Sequence, residues 1–209
     1  MAKFPDPPGA EALTRSNPEQ LVIEAGTRLW RIYASSGEHA AAWNALRSFG
    51  PTDARFDHQR PPPHHDRNRA LCYLGVLAPL CVAERFQGHR RIERHAGTPR
   101  LVGFDLARPI RLLDLRGLWP TRLGASQAVA VGTRSRSRRW AVALYEALGA
   151  DVDGLCYRSS MYGGEAAVVL WEPGRTALPE SPVLDISLDD PRLTLALART
   201  CLDLGYTMS

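Results

Sequence analysis

The chain has 209 residues, of which 44% are hydrophobic, and it carries a formal net charge of +4 with a pI near 9.1. Its longest uncharged run, residues 70–83, is too short for the roughly 20 residues that cross a bilayer, and residues 1–20 lack the apolar stretch of a secretory signal. The four cysteines form no Cys-x-x-Cys pair, so we expect buried reduced thiols in a soluble, cytoplasmic protein, which excludes membrane-spanning proteins and disulfide scaffolds.

The N-terminal third of the chain predicts an arm followed by a strand. Residues 1–20 contain four prolines and few large apolar groups, so we expect a flexible N-terminal arm before a single domain over residues 21–209. Residues 28–33 alternate, which places Arg31 and Tyr33 on the same face of a strand. Residues 39–49 have the pattern of a helix.

A long apolar run then predicts a second helix. Asp66 or Asn68 is a suitable N-cap, and the helix is expected to end near Gly88. On such a helix, Tyr73 and Glu84 share a face and are separated by about 16 Å along the axis, a distance that one dinucleotide-sized ligand spans.

The second half of the chain alternates between strand and helix patterns. Strands are predicted over residues 101–106, 110–115, 155–157 and 165–171, and helices over residues 140–148 and 190–202. Residues 174–209 are expected to form a C-terminal extension packed on the domain. These elements predict an α+β fold.

Three polar side chains, Arg31, Glu84 and Ser159, lie in segments that are otherwise apolar. A polar group that loses water must find partners, so this repeated pattern indicates a site and favours an enzyme. Each residue also has a structural explanation: Arg31 could pair with an acid, Glu84 could face solvent, and Ser159 could bond the hairpin backbone.

Short motifs recur in an order that resembles the RES-domain family over residues 25–173. The matching segments are Leu29-Trp30-Arg31-Ile32-Tyr33, Arg55-Phe56-Asp57, Tyr73, Ala83-Glu84-Arg85-Phe86, Asp153-Gly154 and Tyr157-Arg158-Ser159-Ser160. The resemblance implies an ADP-ribosyltransferase-like fold, with a split antiparallel β-sheet core and flanking helices. The chain departs from the family at Asp53-Ala54, where glycines are usual, and at His58, where proline is frequent.

The resemblance also implies a function and a site. It implies the toxin of a bacterial toxin–antitoxin pair that degrades NAD or transfers its ADP-ribose to a protein. The implied catalytic residues are Arg31, Glu84 and Ser159, and the implied NAD-binding residues are Arg31, Tyr33, Arg55, Tyr73 and Ser159. NAD is then the substrate, with inorganic phosphate as an optional co-substrate and no metal. The implied partner is an Xre-like helical DNA-binding antitoxin that occludes the active site.

These residue types suit cleavage of the nicotinamide–ribose bond. Positive charge gathers at the anomeric carbon, where a carboxylate such as Glu84 is stabilising. Guanidinium groups such as Arg31 or Arg55 match a diphosphate, and tyrosine rings stack on bases. Ser159 can donate to a phosphate or ribose oxygen. Whether water, phosphate or a protein accepts the ADP-ribose stays open.

Other residues of the chain suggest other functions. The basic segment 133–140 could bind or cleave RNA, although its charges do not alternate with aromatic residues and Trp140 begins an amphipathic helix that would turn it inward. Its arginines could instead lie near the NAD phosphates or contact an acidic antitoxin. His58, His64 and His65 with Asp57 and Asp66 are adjacent in a Pro-rich loop, which does not match metal-ligand spacing. An inactive binding module would not need Arg31, Glu84 and Ser159 together.

Overall fold

The computed structural model describes residues 4–209. Its strands are β1 (Gln20–Ile23), β2 (Arg28–Ala34), β3 (Phe49–Gly50), β4 (His64–His65), β5 (Leu71–Gly75), β6 (Arg91–Ile92), β7 (Pro99–Asp105), β8 (Ile110–Asp114), β9 (Gly154–Arg158), β10 (Ala166–Trp171), β11 (Leu184–Ser187) and β12 (Thr207–Met208). Its α-helices are α1 (Ala10–Arg15), α2 (Ala78–Arg85), α3 (Trp119–Arg122), α4 (Ala128–Val131), α5 (Arg134–Leu148) and α6 (Thr194–Leu204). Short 3-10 helices cover Arg67–Arg69, Glu172–Ala177 and Pro191–Leu193.

The main sheet has eight strands in the order β1-β8-β9-β10-β5-β2-β7-β11. Neighbouring strands are antiparallel except β8 and β9, which are parallel. Among the described residues, β5 and β2 pair at one position, Trp30 with Gly75, whereas β2 pairs with β7 along its whole length. The sheet is therefore nearly divided between β5 and β2, which agrees with the predicted split core.

Both faces of the sheet are covered by apolar packing. Along β10, Val169 packs with Trp140 and Leu144 of α5, whereas Val168 packs in a separate cluster with Leu29 of β2. This alternation is what a strand buried on both faces requires. The cysteines are all buried with free thiols, as predicted.

Helix α2 packs tightly against the division of the sheet. A Cβ atom at Gly75 would lie 2.8 Å from the Cys81 sulfur, and the Cys81 thiol donates to the Trp30 carbonyl at 3.2 Å. Because Gly75 has no side chain, α2 can approach this closely and is held beside β5 and β2. Glu84, three residues further along α2, is thereby placed near the division.

The helix predicted over residues 39–49 is wrong. This segment consists of turns and extended backbone. The Arg31 guanidinium donates to two of its carbonyls, those of Trp43 and Ala45, and Arg47 forms a β-bridge with Leu71. These contacts with distant residues satisfy backbone groups that a helix would have paired internally.

The helix predicted between Asp66 and Gly88 is also wrong, because the apolar run contains a strand and a shorter helix. Asp66 caps the 3-10 helix Arg67–Arg69 by accepting from the Asn68 N–H at 3.0 Å. The chain then enters the central strand β5, and Pro79 lies in the first turn of α2, where it needs no backbone hydrogen bond. Tyr73 and Glu84 therefore do not share a helix face.

The ends of the chain take part in the packing. Leu13 of α1 is fully buried and α1 contacts α5, so the described part of the predicted flexible arm is folded against the rest of the chain. Residues 1–3 of that arm lie outside the described residues. At the other end, β11 is the edge strand of the main sheet and α6 contacts α2. Within residues 4–209, no helix combines the length and hydropathy needed to span a membrane.

Candidate active site

A cavity of about 450 Å³ opens beside the division of the sheet. Its walls come from β2, β5, α2, the loop around residues 52–55 and the first residue of α5. Arg31, Arg55, Tyr73 and Glu84 all line it, so the structure brings together four of the residues that the sequence nominated. Ser159 adjoins the cavity through its contact with Glu84.

The Glu84 carboxylate is held from two sides. Ser159 Oγ donates to Glu84 Oε1 at 2.6 Å, and Gln87 Nε2 donates to Oε2 at 3.3 Å. Ser159 is buried, and its Oγ accepts from the Met161 N–H at 3.1 Å. The hydroxyl proton of Ser159 is therefore directed at Glu84, and the two donors fix the carboxylate on the cavity wall.

The cavity is rich in cationic side chains. Its charged lining comprises five arginines and two carboxylates: Arg31, Arg47, Arg55, Arg85, Arg134, Asp53 and Glu84. Such an excess of positive charge in a concave site favours an anionic ligand. Planar guanidinium groups are particularly suited to phosphate oxygens.

Two of the predicted arginines also hold the walls in place. Arg31 Nη1 donates to the carbonyls of Trp43 and Ala45 at 2.9 and 2.7 Å. Arg55 Nη1 donates to the Gly132 carbonyl and to Ser137 Oγ, the latter at 3.3 Å. Burial, aided by the neighbouring Arg134 charge, lowers the pKa of Arg55 from its ordinary value.

A buried carboxylate organises the loop that carries Arg55. Asp57 is fully buried; its Oδ1 accepts from Arg47 at 2.6 Å and from the Tyr73 hydroxyl at 3.0 Å. Its Oδ2 accepts from both the N–H and the hydroxyl of Thr52 at 2.7 Å. The Tyr73 hydroxyl in turn accepts from the Phe56 N–H at 3.1 Å, and burial raises the pKa of Tyr73 well above its ordinary value. Tyr73 is thus anchored by its hydroxyl at the cavity wall.

Tyr157 is a cavity residue that sequence reasoning did not nominate. Its ring packs 4.6 Å from that of Phe56, and its hydroxyl forms no hydrogen bond with any residue from 4 to 209. Burial and the nearby Glu84 carboxylate raise its pKa well above the ordinary value. Tyr157 precedes Ser159 by two positions at the end of β9, a spacing that places both on one face of a strand and that could have revealed it.

Tyr33 is not among the residues that line the cavity. Its hydroxyl donates to Asp185 Oδ2 at 2.8 Å, and Arg100 binds the other oxygen of that carboxylate at 2.8 Å. The side chain therefore joins β2 to β11 at the far side of β7. Tyr33 therefore lies outside the cavity lining, where its hydroxyl forms a hydrogen bond between strands.

The histidines and the basic segment have structural partners. His58 is fully buried and stacks on Tyr145 with ring centroids 4.1 Å apart. Among residues 4–209, no group of three or more His, Cys, Asp or Glu side chains is placed to hold a metal ion. In the basic segment, Arg138 pairs with Asp53 and Arg139 with Asp6, and Trp140 is buried as expected, so this segment offers no aromatic platform for RNA.

Comparison with known proteins decides the family. The family model described as the RES domain matches residues 28–195. The chain belongs to the RES-domain family. No curated protein matches it. Among solved structures, this RES domain is similar to a chain in the crystal structure of the M. tuberculosis MbcT–MbcA toxin–antitoxin complex. The two chains share 18% sequence identity and superpose with a TM-score of 0.53, and the match covers 86% of this chain and 92% of that chain. This likeness confirms the α+β, ADP-ribosyltransferase-like fold of the RES domain.

Two further cavity residues of this RES domain, Gln87 and Asp53, were not predicted as site residues, and Arg134 was considered only as part of the basic segment. Gln87 lies one turn beyond Glu84, and its Oε1 accepts from Arg134 at 2.9 Å. Arg134 also pairs with Asp53 in the loop that precedes Arg55. The sequence signal for Gln87 was its i+3 spacing from Glu84 on a helix, whereas nothing local in the sequence connects residues 53, 87 and 134.

Proposed function

We propose that this RES domain is the toxin of a toxin–antitoxin pair and that it cleaves the nicotinamide–ribose bond of NAD in the cavity. The observation that carries the proposal is the Glu84 carboxylate, held by Ser159 and Gln87, on the wall of a concave site with five arginines. The cavity volume of about 450 Å³ lies in the range of small-molecule sites.

The reaction requires stabilisation of positive charge. When the bond breaks, its electron pair leaves with the nicotinamide nitrogen, which becomes neutral, and the ribose carbon becomes an oxocarbenium centre. A carboxylate fixed beside that carbon lowers the energy of this charged state without having to reorganise. Glu84 is suited to this role because Ser159 and Gln87 fix its orientation in advance.

The remaining cavity groups suit the rest of NAD. Its diphosphate carries two negative charges, which match the cationic lining, and its two bases offer flat surfaces to aromatic rings. Tyr73 and Tyr157 line the same cavity. Attack on the ribose carbon by a water or phosphate oxygen, with loss of one proton, would complete hydrolysis or phosphorolysis.

Substitution of the carboxylate tests this proposal. Glu84→Gln keeps the shape of the side chain but removes its charge, and we expect nicotinamide release to fall by about 100-fold or more. Glu180→Gln, an exposed glutamate outside the cavity, is the matched control and should retain activity. Products with and without phosphate, identified by mass, assign the acceptor. A folded Glu84→Gln protein with full NAD turnover contradicts the proposal.

The toxin role is tested in cells. The similarity to a chain from a toxin–antitoxin complex supports a partner protein, and we propose a helical DNA-binding antitoxin that covers the cavity. Expression without the partner should deplete NAD and arrest growth, whereas the Glu84→Gln variant should do neither. Growth arrest with intact NAD and degraded RNA would instead favour an RNA-directed toxin, and modified host protein would favour ADP-ribosyl transfer.

A further inference from the structure

The cavity arginines differ in how firmly their present partners hold them. Arg47 pairs with the fully buried Asp57, and removing one partner of a buried ion pair is strongly destabilising. Arg31 and Arg55 donate to backbone carbonyls that shape the cavity walls. A ligand that drew these three groups away from their partners would have to offset the loss of those contacts.

Arg134 is held by a partner that is easily exchanged. It pairs with Asp53, whose side chain retains 76% of its accessible surface, and an exposed ion pair contributes little to stability. Asp53 also accepts from Arg138, which lies one turn further along α5. Releasing Arg134 therefore leaves the Asp53 carboxylate with both a second arginine and water.

Arg134 is connected to the proposed reaction centre through one side chain. Its Nη2 donates to Gln87 Oε1 at 2.9 Å, and Gln87 Nε2 donates to Glu84 Oε2 at 3.3 Å. A single amide thus separates the guanidinium from the carboxylate. In NAD, the carbon that loses nicotinamide belongs to the ribose that carries the diphosphate, so the two groups are close together in the ligand, as Glu84 and Arg134 are in the cavity.

We propose that Arg134 binds the diphosphate of the substrate, and that Asp53 is an internal competitor that occupies this guanidinium until the diphosphate displaces it. The inference rests on the proposed function and adds a specificity device to the same site. Gln87 keeps Arg134 oriented during the exchange, because its hydrogen bond does not involve Asp53. Arg85, which also lines the cavity and has no hydrogen bond or ion pair with any residue from 4 to 209, is free to bind the same ligand.

If Asp53 competes with the diphosphate for Arg134, substitution of these two residues should change ligand affinity in opposite directions. Calorimetric titration with ADP, which carries a diphosphate without a reactive nicotinamide, measures binding alone. Arg134→Gln should weaken ADP binding by about tenfold, the value of one charge-assisted contact. Asp53→Asn should strengthen it by about 2–5-fold, because the competing charge is removed. Adenosine, which lacks phosphate, should bind all variants alike.

Arg138→Gln is the matched control. Arg138 pairs with the same carboxylate from the same helix face but does not line the cavity, so ADP affinity should stay within about twofold. Weaker ADP binding by Asp53→Asn would show that Asp53 positions Arg134 and does not compete, which overturns the inference. ADP binding by Arg134→Gln equal to that of the unchanged protein would overturn it as well.

These outcomes are separable from failure of the proposed function. If the unchanged protein releases nicotinamide from NAD but Arg134→Gln binds ADP normally, only the inference fails. If ADP binding responds to both substitutions but no nicotinamide is released, only the proposed reaction fails. Absence of ADP binding to the unchanged protein at millimolar concentration contradicts the diphosphate site itself.

Discussion

Ser159 Oγ donates a 2.6 Å hydrogen bond to Glu84 Oε1, across 75 positions of sequence. The contact joins the residue that follows β9 to the last turn of α2, at the wall of the cavity. A carboxylate near a helix C-terminus faces the negative end of the helix dipole, which disfavours its charge by about 0.3–1 kcal/mol. The Ser159 donor offsets this effect and fixes the orientation of the carboxylate.

We expect Ser159→Ala to lower the kcat for NAD by about tenfold, the equivalent of one hydrogen bond of about 1.4 kcal/mol. The KM should change less, because the hydroxyl is directed at Glu84 and not at a ligand. Ser160→Ala, which removes a neighbouring cavity hydroxyl, should have a smaller effect on kcat. A raised KM for NAD or phosphate with unchanged kcat would mean that Ser159 binds the ligand directly.

Asp57 and Asp53 lie in the same loop and should differ in their contribution to stability. Asp57 is fully buried with four donors, so Asp57→Asn should lower the free energy of unfolding by about 3 kcal/mol or more. Asp53 is exposed, so Asp53→Asn should change it by less than about 1 kcal/mol. Urea unfolding measures both values, and equal losses would contradict the assigned roles.

Arg31 is predicted to contribute to both stability and ligand binding. Its guanidinium connects β2 to the carbonyls of Trp43 and Ala45, so Arg31→Ala should lower the free energy of unfolding by about 1–3 kcal/mol. Urea unfolding and ADP titration of the same variant separate the two contributions. Unchanged stability with lost ADP binding would show that the two carbonyl contacts contribute nothing to the fold.

Several strands could be predicted from the local sequence, among them β2, whose residues alternate between apolar and polar. Other elements could not be predicted in this way. The predicted strands near residues 101–106 and 110–115 are β7 and β8, because two short apolar runs with a Pro-containing turn between them specify a pair of strands. The run that contains β5 and α2 is apolar throughout, so neither a period of 2 nor one of 3.6 is visible. Residues 39–49 are held by contacts to Arg31 and Leu71, which no local pattern encodes.

Part of the site could be predicted from polar residues that lie in otherwise apolar segments. Arg31 and Glu84 reach one cavity because each is a polar side chain on an element of the core. Tyr33 shares a strand face with Arg31, but two residues along a strand cover about 7 Å, which carries it to Asp185 instead. Arg134 belongs to the basic segment whose arginines could lie near the NAD phosphates, but its place in the cavity depends on contacts with Asp53 and Gln87, which are distant from it in sequence.

His58 predicts a loss of stability in acid. The ring is fully buried between Tyr145 and Trp171, and neither ring nitrogen has a hydrogen-bond partner among residues 4–209. Burial, together with the positive charges of Arg69 and Arg47, lowers the pKa of His58 from 6.5 to about 3. The folded protein therefore keeps this imidazole neutral over a pH range in which the unfolded chain protonates it.

The direction of the pH effect follows from linkage. Because the folded pKa lies below the unfolded one, the stability is fully present above pH 6.5 and is lost as pH falls towards 3. Between pH 8 and pH 5 the loss due to His58 is about 2 kcal/mol. His58→Phe keeps an aromatic ring but has no group that titrates, so between pH 8 and pH 5 its free energy of unfolding should fall by about 2 kcal/mol less than that of the unchanged protein. His89→Gln, at an exposed histidine, should keep the unchanged protein's profile. Parallel pH profiles for the unchanged protein and His58→Phe, measured by urea unfolding, would show that protons reach His58 in the folded state without cost.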